Sequence, residues 1–333
     1  EIVATGGWVT TEPQKAAELS EHVVLNAEKD NLVPNILNLQ PETRRAELVE
    51  AFDLEPLARA PLPGARARTR AFIKVQDGCD NECTFCITTL ARGEGYSRPL
   101  DEILADIQHA LDGGTKEIVL TGVHLGSWGG RFRNAPGLNV PLSELIRSIL
   151  ERTRAPRLRL SSLEPWDLEP DFFTLWRDAR LLPHLHLPLQ SGSDSVLRRM
   201  RRNTTRDKFR DLVAAARAEI PNLAITTDVI AGFPGETEKE FAETLDFVQE
   251  IGFAGGHIFT YSPRAGTPAA RMKGQLPKRI RKARNAALRA TFAEMAAGYR
   301  EKMIGETMSV LWEAIGRADD GLDGELSARY CAC

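Results

Sequence analysis

The chain is 333 residues long, which suits about two domains at roughly 150 residues each. Its 43 Lys and Arg against 46 Asp and Glu give a formal charge of −3, with 42% hydrophobic and 27% charged residues. That balance excludes a wholesale polycation, a disordered chain and a collagen-like one, so any nucleic-acid contact must come from local patches. No apolar run approaches the roughly 18 residues of a membrane span and no signal peptide opens the sequence, which points away from membranes and toward the cytoplasm.

The sequence starts without Met on Glu1-Ile2-Val3-Ala4-Thr5-Gly6-Gly7 and stops at Cys331-Ala332-Cys333, so both ends read as cut. Residues 1–55 alternate short apolar strands (Ile2 to Thr5, His22 to Leu25) with helical stretches, a small βα pattern. The Pro-, Ala- and Arg-rich segment 56–70 breaks all periodicity and reads as a linker. Regular alternation begins at Ala71. Strands are expected at Ala71 to Gln76, Glu117 to Thr121, Arg157 to Ser161, His184 to Leu187, Leu223 to Ile230 and Gly256 to Thr260. Helices are expected at Leu100 to Leu111, Pro141 to Arg152, Asp171 to Arg177, twice between Asp194 and Glu219, and at Glu238 to Glu250. Six strands, each followed by a helix, describe an α/β fold, an open or closed barrel with its site at the carboxyl ends of the strands. A basic helix follows from about Pro277 to Lys302, and Met308 to Trp312 is another strand-like run.

Five cysteines are too few for a disulfide scaffold, and three crowd together as Cys79, Cys83 and Cys86 after the first barrel strand. A short loop brings three thiolates to one face, where they can hold three corners of a cube-shaped iron–sulfur cluster and leave the fourth iron open for a ligand. Four-cysteine electron-transfer clusters close that corner. Zinc is the bland alternative, but structural zinc wants four ligands, and neither His109 nor His124 is placed to be the fourth. Cys331 and Cys333 form a separate pair at the end of the chain, read as the product of a truncated or shifted frame rather than as a metal site.

The run Cys79-Asp80-Asn81-Glu82-Cys83-Thr84-Phe85-Cys86 resembles the radical S-adenosylmethionine signature, CxxxCxxC with an aromatic before the last Cys. Gly78 before it, with Arg92-Gly93 and Ser97-Arg98-Pro99 after it, resembles the methylthiotransferase branch. So do His186 to Ser193, Thr227 to Glu236 and Phe259 to Pro268. Leu120 to Gly129 and Arg159 to Pro165 look most like the type that acts on threonylcarbamoylated adenosine in tRNA.

The resemblance implies a radical SAM partial (βα)6 barrel at 71–275 and a basic helix at 276–305. A remnant N-terminal α/β methylthiotransferase domain would occupy 1–55, and the start of a truncated C-terminal β-barrel (TRAM) 306–333. It implies a [4Fe-4S] cluster on Cys79, Cys83 and Cys86 and S-adenosyl-L-methionine as cofactors. Cleavage of the latter would yield a 5′-deoxyadenosyl radical that takes hydrogen from C2 of the target adenine, beside the anticodon. The implied partners are a tRNA anticodon stem-loop and an electron donor such as a flavodoxin or ferredoxin.

Family members carry a second [4Fe-4S] cluster whose third ligand follows a strand in a Thr-Gly-Cys triplet. Here the triplet is Thr5-Gly6-Gly7, which puts sulfur insertion in doubt. Gly122, Glu164, Gln190, Gly232 and Pro234 are the residues expected to face S-adenosylmethionine; the alternative readings are an ordinary strand-end turn for Gly122, a surface loop for Glu164 and Gln190, and turn geometry alone for Gly232 and Pro234. His184 reads as a packed strand residue and His186 stays open. Arg198, Arg199, Arg201 and Arg202, with Lys278 and Arg281, are expected to contact RNA phosphates or to form solvated faces. Two other functions stay open. One is a barrel that cleaves S-adenosylmethionine without inserting sulfur. The other is a methylthiotransferase for isopentenyladenosine in tRNA or for a ribosomal-protein aspartate.

Overall fold

A computed structural model describes residues 3–20, 22–25, 28, 69–132, 139–317 and 326–331, with side chains to Leu311. The expected linker 56–70 lies outside the described residues except for its last two, as do Cys333 and the side chain of Cys331. Near the amino end, β1 (Val3–Thr5) pairs in parallel with β2 (His22–Val24), and α1 (Gly7–Thr11) and α2 (Pro13–Leu19) lie between them in sequence.

Six parallel strands follow in chain order: β3 (Arg70–Asp77), β5 (Glu117–Gly122), β6 (Leu158–Leu160), β7 (His184–His186), β8 (Ala224–Ala231) and β9 (Gly255–Thr260). They form two sheets, β3-β5-β6 and β7-β8-β9, joined where Leu163 donates its N–H to the His186 carbonyl at 3.0 Å and Ser162 bridges His186. The result is an open arc, a partial barrel. The β5 run Ile118-Val119-Leu120 is buried on both faces, as a parallel strand between helix layers must be. Along β8, burial alternates, and Thr226, Asp228 and Ile230 turn their half-exposed side chains the same way.

The connecting helices are α4 (Leu100–Asp112), α5 (Leu142–Arg152), α6 (Asp194–Arg199), α7 (Arg206–Glu219) and α8 (Glu238–Ile251). Each shows the amphipathic spacing its sequence announced, and α8 opens with a full capping box between Thr237 and Glu240. One expected α-helix is instead a run of 3₁₀ turns, Pro170–Arg177. Residues three apart eclipse in that geometry, which lets Phe172 align with Leu175 and Phe173 with Trp176, and all four are buried.

Short elements escaped the sequence pattern: α3 (Thr88–Arg92), β4 (Tyr96–Ser97), which pairs antiparallel with the end of β3, and α9 (Pro268–Arg271). The basic helix, α10, runs over Lys278–Lys302. The strand expected at Met308 to Trp312 is β10, Leu311–Arg317, and it pairs antiparallel with β11, Leu326–Cys331.

The main core lies between the sheets and the helices. A smaller apolar cluster of Val196, Met200, Phe233, Tyr261 and Ala269 sits apart from it, with Phe85 packed on. Among the described residues no helix is long and apolar enough to cross a membrane.

Candidate cluster and nucleoside site

The cysteine loop starts where β3 ends. Gly78 has φ of 73°, and a Cβ there would overlap the Glu94 carbonyl oxygen, so only glycine lets the chain turn so tightly. The turn is fastened by Cys79 N–H to Gly93 O at 3.1 Å and Gly95 N–H to Asp80 Oδ1 at 3.1 Å. Asp77, buried at the strand end, accepts from Gly78 N–H at 2.9 Å and Arg92 at 3.1 Å. Further along, Thr84 donates N–H to Met200 O at 3.0 Å and accepts from Ala269 N–H at 2.9 Å, while Phe85 enters the small apolar cluster. The loop is thus pinned to β3, to α6 and to α9.

All three cysteines of this loop are free and half-buried. Backbone N–H groups reach two of the sulfurs, Asn81 to Cys79 and Thr88 to Cys86, both at 3.4 Å. The third, Cys83, lies 3.7 Å from a guanidinium N–H of Arg202. Burial pushes the Cys83 thiol up, against the pull of that cation. Three sulfurs, each with an N–H donor, are the setting of cluster thiolates, whose potential depends on such bonds. Among the described residues no three His, Cys, Asp or Glu side chains gather as ligands of one metal ion. Cluster corners require something else, namely three thiolates on one loop and an open approach to the fourth iron.

Opposite the loop stands an ion-pair system that the sequence did not announce. Arg202 is only 7% exposed; it donates to both oxygens of Glu164 and to the Pro188 carbonyl, and its guanidinium lies 4.4 Å from the Trp166 ring centroid. It was expected on a phosphate-facing turn and is instead inside the site. Glu164, expected to face S-adenosylmethionine, is its partner. On the other side of the loop, His124 bonds Asp167 at 2.6 Å. Burial works against the imidazolium there, but Asp167 and the Cys79 sulfur outweigh it and hold His124 raised to about 10. Gln76, 1% exposed, ties the two halves together. It donates to Gly78 O at 2.9 Å and accepts from His124 N–H at 2.8 Å, and a Cβ on Gly122 would crowd it at 3.1 Å.

A cavity of about 260 Å³ opens at the carboxyl ends of the later strands, lined among others by Phe85, Gln190, Asp228, Ile230, Phe259 and Tyr261. Gln190 has φ of 69°, held there by bonds from its N–H to Asp228 O at 2.8 Å and to its carbonyl from Ile230 N–H at 2.9 Å. Non-glycine residues forced into that region cluster at functional sites. Asp228 keeps one buried carboxylate oxygen without a hydrogen bond and stands 3.3 Å from His186 Nε2. Gly232 and Pro234 form the turn after β8, with Gly232 at φ of 76°. His184 is packed, bonded like His186 to the Thr226 hydroxyl, at 3.1 and 2.9 Å.

The expected RNA residues separate. Arg198, Arg201 and Lys278 are exposed, Arg201 pairing with Glu82 of the cysteine loop at 2.8 Å. Arg199 is half-buried and grips Glu240 with two bonds, at 2.8 and 3.0 Å, which hold Glu240 down to about 2. Arg281 faces inward. At the amino end, Gly7 stands where a ligand of the second cluster was sought, and a Cβ there would lie 3.3 Å from Ala91 in α3, the helix after Cys86.

The radical SAM superfamily model matches residues 73–248, the span from the first barrel strand to α8. The chain belongs to the radical SAM superfamily. It is 38% identical over 315 residues to the threonylcarbamoyladenosine tRNA methylthiotransferase MtaB of Thermotoga maritima, covering 94% of this chain and 70% of that protein. Its identity to the MtaB of Bacillus subtilis is 41% over 253 residues, 76% of this chain and 55% of that one. The tRNA-2-methylthio-N(6)-dimethylallyladenosine synthase of Anaplasma marginale is 38% identical over 242 residues, 72% of this chain and 52% of that one. The chain therefore belongs with the tRNA methylthiotransferases and spans between 52 and 70% of the length of these three. The fold is also that of coproporphyrinogen III oxidase HemN from Escherichia coli, with a TM-score of 0.52 at 18% identity over 72% of this chain and 54% of that one. The superfamily's cofactors, a [4Fe-4S] cluster and S-adenosylmethionine, fit the donor set on the cysteine loop.

Proposed function

We propose that this protein methylthiolates C2 of an N6-modified adenosine beside the tRNA anticodon, with threonylcarbamoyladenosine as the target. The observation that carries the reading is the cysteine loop, three half-buried thiols each met by an N–H donor at the carboxyl end of a parallel barrel. The likeness to MtaB over 94% of the chain supports the target, and the Leu120 to Gly129 stretch supports it further. Dimethylallyladenosine is the second reading, because relatives with that printed activity are as similar over a shorter span.

Cys79, Cys83 and Cys86 would hold the cluster, and Gly122, Glu164, Gln190, Gly232 and Pro234 would surround S-adenosylmethionine. When bound, these groups supply a 5′-deoxyadenosyl radical that removes hydrogen from C2 of the adenine. The sulfur would have to come from a second cluster, to which Gly7 offers no thiolate, and the methyl group from a second S-adenosylmethionine; the chain's own residues shape the site of the first cluster. Arg202 neutralises negative charge at Cys83 and Glu164 together; Gln76 and Gly78 fix where the loop points; Phe85 seals its base against Met200 and Tyr261. Of the arginines and lysines expected to contact RNA, Arg198, Arg201 and Lys278 stay exposed and would meet the tRNA backbone in the cytoplasm. A flavodoxin or ferredoxin is the class of protein that would deliver the electron.

Mass spectrometry of nucleosides from modified tRNA, incubated with reconstituted protein, reductant and S-adenosylmethionine, tests the target. The methylthio form of threonylcarbamoyladenosine is expected. The methylthio form of dimethylallyladenosine alone would establish the second reading.

A further inference from the structure

The turn Gly232 to Glu236 lies at the end of β8, and the helix that packs on it is α10, whose cations read from sequence as an RNA-binding face. Arg281 and Arg284 occupy consecutive turns of that helix, and both point inward. The Arg284 side chain is 4% exposed and that of Glu236 2%. Arg284 donates to Glu236 Oε2 at 2.7 Å, to the Glu236 carbonyl at 2.8 Å and to Glu238 at 2.7 Å. Glu236 in turn folds back across the turn and accepts the Gly232 N–H at 3.0 Å. The Arg281 stem lies so close over Gly232 that a Cβ on the glycine would collide with it, and its guanidinium donates to the Tyr261 carbonyl just past β9. A cation free to bind phosphate keeps its donors toward solvent. These two spend theirs on the ends of β8 and β9.

We infer that Arg281 and Arg284 are positioning residues, which through Glu236 and Gly232 hold the turn in the shape that receives the adenosine part of S-adenosylmethionine. This rests on the reading of that turn as the nucleoside's seat. Gly232 needs φ of 76°, and Gly235 needs φ of 73°. Such a turn has little preference for one shape alone, so an outside brace that donates to both the carboxylate and the carbonyl of Glu236, the residue that accepts the Gly232 N–H, fixes it. The first turns of α10 supply that brace, and Gly274 closes the far side by accepting the Gly235 N–H at 2.8 Å.

The probe is 5′-methylthioadenosine, which has the adenosine of the cofactor but no amino acid to chelate iron. Its dissociation constant is measured by calorimetry on the cluster-reconstituted full chain, alongside the thermal midpoint and the affinity for an anticodon stem-loop. Arg284→Gln and Arg281→Ala are each expected to weaken nucleoside binding about tenfold, with Arg284→Lys recovering part of the loss and RNA affinity within about twofold of the parent. Gly232→Ala tests the underlying reading and should abolish nucleoside binding. Folded Arg variants that bind the nucleoside normally, while Gly232→Ala does not, would overturn the inference and leave the seat in place. Normal binding in all of them would remove the seat as well. Loss of RNA affinity with nucleoside binding intact would return both arginines to the phosphate-contact role and also overturn the inference. Arg281→Ala keeps the test open where Arg284→Gln fails to fold.

Discussion

His184 is a half-buried residue on β7 with Nε2 bonded to Thr226 and a buried Nδ1 without a partner. Burial, with the nearby Arg159 cation, lowers it from 6.5 to about 3. The folded protein therefore keeps it neutral, while the unfolded chain takes up a proton once the pH falls below 6.5. Stability from this residue is full above that pH and is lost as the pH drops toward 3, by at most about 1.4 kcal/mol per pH unit. Glu240, held at about 2 by Arg199, loses its contribution only below the ordinary carboxylate range near 4.5, and His124, whose contribution grows as the pH falls through 6.5, is common to parent and variant, so the difference between the two over about pH 7 to 5 isolates His184. Thermal midpoints across that window should fall more steeply in the parent than in His184→Asn; parallel curves would contradict the assignment. Other residues were legible to different degrees. Cys79, Cys83 and Cys86 declared themselves by spacing, whereas Arg202 sat in a run of arginines where nothing distinguishes the one that turns inward. Gln76 carried a faint sign, a polar side chain at the end of an apolar strand just before Asp77-Gly78, and Asp228 a similar one in β8.

At the scale of elements, β5 and β8 could be read because parallel strands bury both faces or alternate cleanly, and α8 because Thr237 and Glu240 mark its start. The 3₁₀ run at Pro170–Arg177 shares its apolar spacing with an α-helix and differs only in which residues align, a choice made by packing. Strand β4 has two residues, too few for any period, and β11 falls in a stretch of mixed composition that pairing with β10 organises. Helix α10 shows why a charge run is ambiguous: Lys278 is exposed while Arg281 and Arg284 are built into the barrel. RNA binding should therefore depend on Arg198, Arg201 and Lys278. Replacing Arg198 and Lys278 together with Ser is expected to lower anticodon stem-loop affinity and to reduce the slope of log affinity against log salt by about 0.7 to 0.9 for each lost phosphate contact. An unchanged slope would exclude both from the interface.

Across the whole molecule, six parallel strands in chain order carry every piece of the proposed site on their carboxyl ends, the arrangement that α/β barrels share. The cysteine loop after β3, the Glu164 loop after β6, Gln190 after β7 and the turn after β8 come together because neighbouring strands are also consecutive in sequence. Arg202 and Gln76 join the pieces, and α10 braces them from outside. This arrangement would let a cluster held by Cys79, Cys83 and Cys86 supply an adenosyl radical from S-adenosylmethionine. Release of 5′-deoxyadenosine, followed by mass spectrometry after anaerobic reconstitution and addition of dithionite and S-adenosylmethionine, tests it most directly. Release is expected from protein holding about four irons and four sulfides, and none from Cys83→Ala. Protein that carries the full cluster and releases no 5′-deoxyadenosine would contradict it.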